Sequence, residues 1–171
     1  MKRGVSGSPI PSYLPFAAEI TQACSEYDFP PCLAYAVKIN ETGLSNDPAE
    51  MQIGSVGDYM PDGSNAGHGI FQLTSSWPAS SNPADNWSNA SANARYALAE
   101  FLQPAWLFWT SNTELEGEYL VKVIAASFNA GLLAAWNAHL SGNVDAIDTD
   151  DYGARAVRHY LELVAGGTIV V

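Results

Sequence analysis

Four short segments of this 171-residue chain carry side chains suited to moving a proton or holding a polar ligand. They are Glu41-Thr42-Gly43, Gly69-Ile70-Phe71-Gln72, Ser127-Phe128-Asn129-Ala130-Gly131 and Asp150-Asp151-Tyr152. Glu41 is the candidate acid. It follows Val37 by one helical turn, at the end of an apolar face, where burial disfavours a charged carboxylate. The carboxyl end of a helix carries partial negative charge and acts in the same direction. A carboxyl that keeps its proton near neutral pH is what general-acid chemistry requires. Position alone favours a plainer reading, a frayed helix-end glutamate facing water; it is the other three segments that favour the acid. Gln72 and Asn129 offer amides that both donate and accept hydrogen bonds, or are simply turn and capping residues. Gly69 and Gly131 allow backbone to approach a ligand closely. Tyr152 is either a hydrogen-bonding partner or a tyrosine at the edge of a core. His68 has no Cys or Ser partner in a recognisable triad and is read as a rim residue.

The elements that must position these residues are helical. Phe16, Ile20, Ala23 and Tyr27 lie on one helical face. Pro31 is placed to open a second helix with Leu33, Ala36, Val37 and Asn40 on one side, and Gly43 to stop it. Residues 44–68 lose apolar periodicity and are rich in turn residues, so they are expected to form a long irregular loop or a small hairpin lining a cleft. Helical spacing returns with Ala90, Ala94, Ala97, Leu98 and Phe101, and Pro104 is expected to end that run. Trp106-Leu107-Phe108-Trp109 then falls in a connector, as a satellite core or a partner patch. Leu120, Val123, Ile124, Ser127 and Phe128 mark a further helix, Leu132 to Leu140 a short one. Tyr152, Ala156, Tyr160 and Val164 mark the last, with Asp150 or Asp151 as its cap. The expected fold is mainly α, six or seven helices in one domain over 12–171, after a flexible Gly/Ser/Pro-rich arm at 1–11.

In this order, with each segment at the end of a helix, the four motifs resemble the lysozyme-like fold of soluble lytic transglycosylases and goose-type lysozymes. That family has a catalytic Glu followed by Ser/Thr-Gly, then Gly-x-x-Gln, then Ala-Tyr-Asn-Ala-Gly, and a Tyr on a late helix. The resemblance runs from about residue 16 to 165. It implies cleavage of the β-1,4 bond between N-acetylmuramic acid and N-acetylglucosamine in peptidoglycan, with Glu41 as general acid. It also implies a substrate cleft lined by His68, Gly69, Gln72, Phe128, Asn129 and Tyr152, and it implies no metal or organic cofactor. Two positions differ from the pattern. Ser127-Phe128 stands where the family has Ala-Tyr, and Gln72-Leu73-Thr74 stands where goose-type enzymes have Gln-x-Asp. A second carboxylate would then come from Asp62 or Asp58, of which Asp62 is nearer the Gly-x-x-Gln segment; both read equally as turn residues. A water-activating carboxylate at roughly 6.5–9.5 Å would give inverting hydrolysis. Without it, the sugar's own groups would complete the reaction and leave an anhydro end.

Composition narrows the alternatives. Apolar residues make up 47% and charged residues 15%, which excludes a disordered chain or a coiled coil. Seven basic against 18 acidic residues give a net charge of −11, which speaks against nucleic acid or an anionic membrane as partner. No apolar run approaches the ~20 residues of a membrane-spanning helix. Glycan strands held by short-range sugar contacts, by a monomer, are the expected partner. Met1-Lys2-Arg3 is not followed by the apolar stretch of a signal peptide. Action at the bacterial wall would therefore rely on a phage lysis system or another delivery machine. Cys24 and Cys32 lack the His partners of a zinc site and are either one disulfide or two small buried apolar residues. Two rival functions remain: a non-catalytic wall-binding or assembly module on the same fold, and a chitin-directed glycosidase.

Overall fold

The computed structural model describes residues 3–45, 67, 69–73, 89–143 and 151–166. Among these the protein is mainly α-helical, as expected. The helices are α1 (Ala17–Tyr27), α2 (Pro31–Thr42), α3 (Ala90–Ala97), α4 (Gln103–Asn112), α5 (Gly117–Ala130), α6 (Leu132–Leu140) and α7 (Tyr152–Ala165). A π-helical turn, Leu98–Leu102, joins α3 to α4 without a break. The expected loop or hairpin falls almost wholly outside the described residues, as do Asp58, Asp62 and His68.

Helix α2 forms the centre. Pro31 opens it and Gly43 closes it, with the Gly43 N–H donating to the Ile39 carbonyl at 2.8 Å. Its apolar spacing predicts one buried face, yet every residue from Cys32 to Ile39 is buried. Helices α1 and α7 pack on it, and α7 packs in turn on α5. Such a helix is apolar all round because it has no solvent side, and even Lys38 is fully covered.

Pro104 does not end its helix. It lies in the first turn of α4, directly after the π turn. Proline lacks the N–H that an α-helix would bond, and its ring clashes with the preceding turn. Here the chain widens first: the Gln103 N–H reaches back to the Leu98 carbonyl, five residues away, and the helix continues. Trp106 and Trp109 consequently sit in a helix rather than a connector, and both are buried in the main core. Trp109 packs against Trp136 with ring centroids 5.5 Å apart, and its indole N–H donates to Ser127 Oγ at 2.9 Å.

The segment expected as a loose arm is docked from residue 3 onward. Val5 and Ile10 are buried. The Ser6 N–H donates to the Tyr160 hydroxyl at 2.5 Å, and Arg3 pairs with Glu114 at 2.7 Å. Further bonds hold it alongside these two apolar side chains: the Gly117 N–H donates to the Arg3 carbonyl at 2.9 Å, and the Cys32 thiol donates to the Ser8 carbonyl at 3.3 Å. Cys24 and Cys32 are both buried, unbonded thiols. Burial pushes them up to about 12 and about 11 respectively, with Cys32 adding to the effect on Cys24, so both stay protonated. Of the two readings left open by the sequence, the structure takes the small apolar pair.

Candidate functional site

The carboxyl end of α2 carries Glu41, half-buried in the last helical turn. Four bonds from three side chains fix that end. Lys38 Nζ donates to the carbonyls of Gly43 at 2.7 Å and Ser45 at 3.3 Å, closing the turn that follows the helix. Thr42 Oγ1 donates to the Ile70 carbonyl at 3.1 Å and so ties the Gly69–Gln72 turn to α2. Asn40 Nδ2 donates to the Tyr152 carbonyl at 2.8 Å, which anchors the first turn of α7 beside Glu41.

Tyr152 completes this side. Its hydroxyl donates to Glu41 Oε1, a contact between residues 111 positions apart in the chain. Burial raises the Tyr152 phenol well above its ordinary value, and the Glu41 charge and the hydrogen bond to it add to the effect. Tyr152 is therefore a permanent donor. Asp151 stands at the N-cap position of α7, but in left-handed backbone (φ 56°) with no side-chain cap bond. The expected Asp cap is thus not made by Asp151, and Asp150 lies outside the described residues. The helix start is held by the Asn40–Tyr152 bond from the neighbouring helix.

The Gly-x-x-Gln segment is a tight turn. The Gln72 N–H donates to the Gly69 carbonyl at 3.1 Å, and the Gln72 side-chain Nε2 donates to the same oxygen at 3.0 Å. Gln72 has φ 44°, left-handed backbone that costs a non-glycine residue on the order of 1 kcal/mol and is enriched at functional sites. Two further contacts enforce it. The Phe71 N–H donates to the fully buried Asn93 Oδ1 at 3.0 Å, and Gly67 lies so close that any side chain there would collide with the Gln72 amide.

Gln72 and Asn129 face one groove of about 540 Å³. One wall is the π turn and the start of α4, with Glu100, Phe101 and Pro104; the other is the end of α5, with Phe128, Asn129 and Gly131. Phe128 bridges the walls, 5.8 Å from the Phe101 ring and 6.2 Å from the Phe71 ring. Asn129 is exposed, in the last turn of α5 before Gly131 (φ 91°). Glu41 and Tyr152 are not among the described residues that line this groove. The predicted site residues thus fall into two groups: Tyr152 sits on Glu41, while Gln72, Phe128 and Asn129 share the groove, and Gly69 joins the two through the Thr42–Ile70 bond.

Compared with known protein families, with curated proteins and with solved structures, the chain shows no match. Among the described residues no cluster of three or more His, Cys, Asp or Glu side chains is arranged to hold a metal ion, and no helix is long and apolar enough to cross a membrane. Sequence reasoning missed the site roles of Asn40, Asn93 and Lys38. Asn93 sits beside Ala94 on the face that enters the core, a buried polar residue whose partner, the Phe71 N–H, lies elsewhere in the chain. Asn40 shares a face with Leu33, Ala36 and Val37, and that placement carried the same signal.

Proposed function

We propose that this protein cleaves the glycan strands of peptidoglycan, with Glu41 as the general acid. The reading is carried by one observation, the Tyr152 hydroxyl bonded to the Glu41 carboxyl. Two residues nominated by separate motifs meet, and the bond between them gives the glutamate a fixed direction. The groove supports the same reading: Gln72 and Asn129 supply the donor and acceptor groups that N-acetyl sugars need, and Phe101 and Phe128 supply an apolar floor. The lysozyme-like family resemblance supplies the bond, between N-acetylmuramic acid and N-acetylglucosamine. Glu41 gives its proton to the bridging oxygen as the C–O bond breaks. In the single-acid version a hydroxyl of the same sugar then attacks the anomeric carbon and returns its proton to Glu41. In the hydrolytic version, water takes that place, activated by a second carboxylate such as Asp62. The site of action is the bacterial wall.

A wall-binding module is the second reading, favoured by a groove whose described lining does not include Glu41. Clearing of purified cell walls by wild type and Glu41→Gln tests both. Wild type is expected to clear the suspension and Glu41→Gln to lose at least about 10²-fold in rate, the scale of a general acid's contribution. Equal clearing by both removes Glu41 from its role. No clearing by either, with both proteins sedimenting with the walls, selects the binding module. Product mass separates the two enzymatic versions, an anhydro end being lighter by one water, and release from chitin oligomers alone would select a chitin-directed enzyme.

A further inference from the structure

Helix α7 presents more than Tyr152 to this site. Tyr152, Arg155 and His159 recur at spacings of three and four and share a face. The Arg155 Cζ lies 5.9 Å from the centroid of the Tyr152 ring. Its Nε is buried and makes no hydrogen bond to any described residue. An arginine usually satisfies its fork of N–H groups with carboxylates or carbonyls; here the recorded partner is the face of an aromatic ring. That ring carries the hydroxyl bonded to Glu41.

From this arrangement we infer that Arg155 is a positioning residue that governs how firmly Glu41 holds its proton, acting through the ring of Tyr152. The inference rests on the reading of Glu41 as the acid. A cation over a phenol ring draws electron density from it and makes the hydroxyl a stronger donor. A stronger donor favours the ionised carboxylate that accepts from it. Burial and the helix end favour the protonated carboxyl instead. Arg155 therefore opposes them, and the balance suits a group that must release a proton and then take one back within one cycle. The same charge lowers the Tyr152 phenol somewhat against its other influences, which is the direction this placement requires.

The charges that act on the Tyr152 hydroxyl are those of Glu41 and Arg155; Asp151, the residue before it, is exposed. On α2, Lys38 is bonded to the Gly43 and Ser45 carbonyls. On α5 the charged residues are Glu118, which is exposed, and Lys122, half-buried. On α7, His159 contacts Glu162 at 3.4 Å and is held towards its neutral form by burial, while Arg158 is exposed. The docked N-terminal segment has its Arg3 paired with Glu114.

The test is a carbon-13 NMR titration of the Glu41 carboxyl, assigned by its loss in Glu41→Gln, in wild type, Arg155→Lys and Arg155→Met. The midpoint is expected to rise by about one pH unit in Arg155→Met, a roughly tenfold gain in proton affinity, and by less in Arg155→Lys, which keeps a cation. The alkaline limb of the wall-clearing profile is expected to move up with it. An unmoved Glu41 midpoint in a folded Arg155→Met protein overturns the inference, even if its melting temperature falls, since a merely structural arginine would change stability alone. Should Arg155→Met fail to fold, Arg155→Gln is read in the same titration with the same two outcomes. The titration needs no activity, so it stands apart from the Glu41→Gln clearing assay: equal clearing there removes the proposed function and leaves the coupling to be read on its own.

Discussion

The two halves of the candidate site are built in opposite ways. Around Glu41 the residues come from core helices and are bonded to one another over long sequence distances: Asn40 to Tyr152, Tyr152 to Glu41, Thr42 to Ile70. The groove walls come from a π turn, a tight turn and the end of α5, and the side chains that carry the recognition reading, Gln72, Phe101, Phe128 and Asn129, are half-buried or exposed. A proton donor must be aimed within a fraction of an ångström, and packing on rigid elements does that. Recognition of a chain of sugars tolerates adjustment, and element ends provide it. The two halves are joined by the Gly69–Gln72 turn, which is bonded to α2 on one side and reaches the groove through Gln72 on the other.

The contrast is broken most severely at Lys38, which closes the turn after Glu41 from a fully buried position. Burial lowers Lys38 to about 8 from its ordinary 10.5. Below pH 8 it is charged in both the folded and unfolded chains, and the folded chain bears the cost of a buried charge. Between about 8 and 10.5 the unfolded chain holds more protons than the folded one, so stability rises with pH across that window. Against Lys38→Met, which has no such proton, wild type is expected to gain roughly 3 kcal/mol between pH 7 and pH 10.5. Urea unfolding of both proteins at the two pH values measures it. A difference that stays constant with pH would mean that Lys38 is not held as a buried cation, and the rigid half would lose its anchor.

Tyr152→Phe is a smaller change that sharpens the same contrast. It removes one hydroxyl from the rigid half and leaves the ring in place. A hydrogen bond to a charged group is worth about 1.5–3 kcal/mol, and part of it is recovered by solvent and relaxation. Wall clearing is expected to fall by about 10- to 30-fold through kcat, with KM little changed. A rise in KM at constant kcat would move Tyr152 into the recognition half and dissolve the distinction.

The rigid half was the more legible in the sequence. Pro31 and Gly43 mark the limits of α2, and the step from Val37 to Glu41 puts the acid at its end. What the sequence did not give was the cover. Nothing local says that α2 is buried all round, because its neighbours α1 and α7 come from both ends of the chain, and so Lys38 read as an ordinary base. Pro104 misled for a related reason: proline rules out a regular helix, but a five-residue widening satisfies it, and the decision rests on Trp106 and Trp109 having a core to enter. The arm at 3–11 read as loose because its two apolar anchors, Val5 and Ile10, are few, and the polar partners of Ser6 and Arg3, Tyr160 and Glu114, lie far along the chain. The groove was legible only as a set of residue types. That Gln72 and Asn129 share it depends on Phe71, Phe101 and Phe128 meeting, three residues from three separate elements.

The weakest expected effect probes the groove. Asn129 is exposed and lines it, with no role in the core, so Asn129→Ala removes an amide without removing a support. A neutral hydrogen bond exchanged for one with water is worth about 1 kcal/mol, which corresponds to a rise in KM of about fivefold for wall fragments, with kcat and melting temperature unchanged. Steady-state kinetics on soluble glycan oligomers, beside a thermal melt, would measure both. A fall in kcat at constant KM would require Asn129 to act on the reacting bond, and the groove and the acid would then be one compartment, although Glu41 is not among the described residues of the groove lining. No change in either constant would place the sugar elsewhere, and the groove between the π turn and the end of α5 would no longer serve as the recognition half.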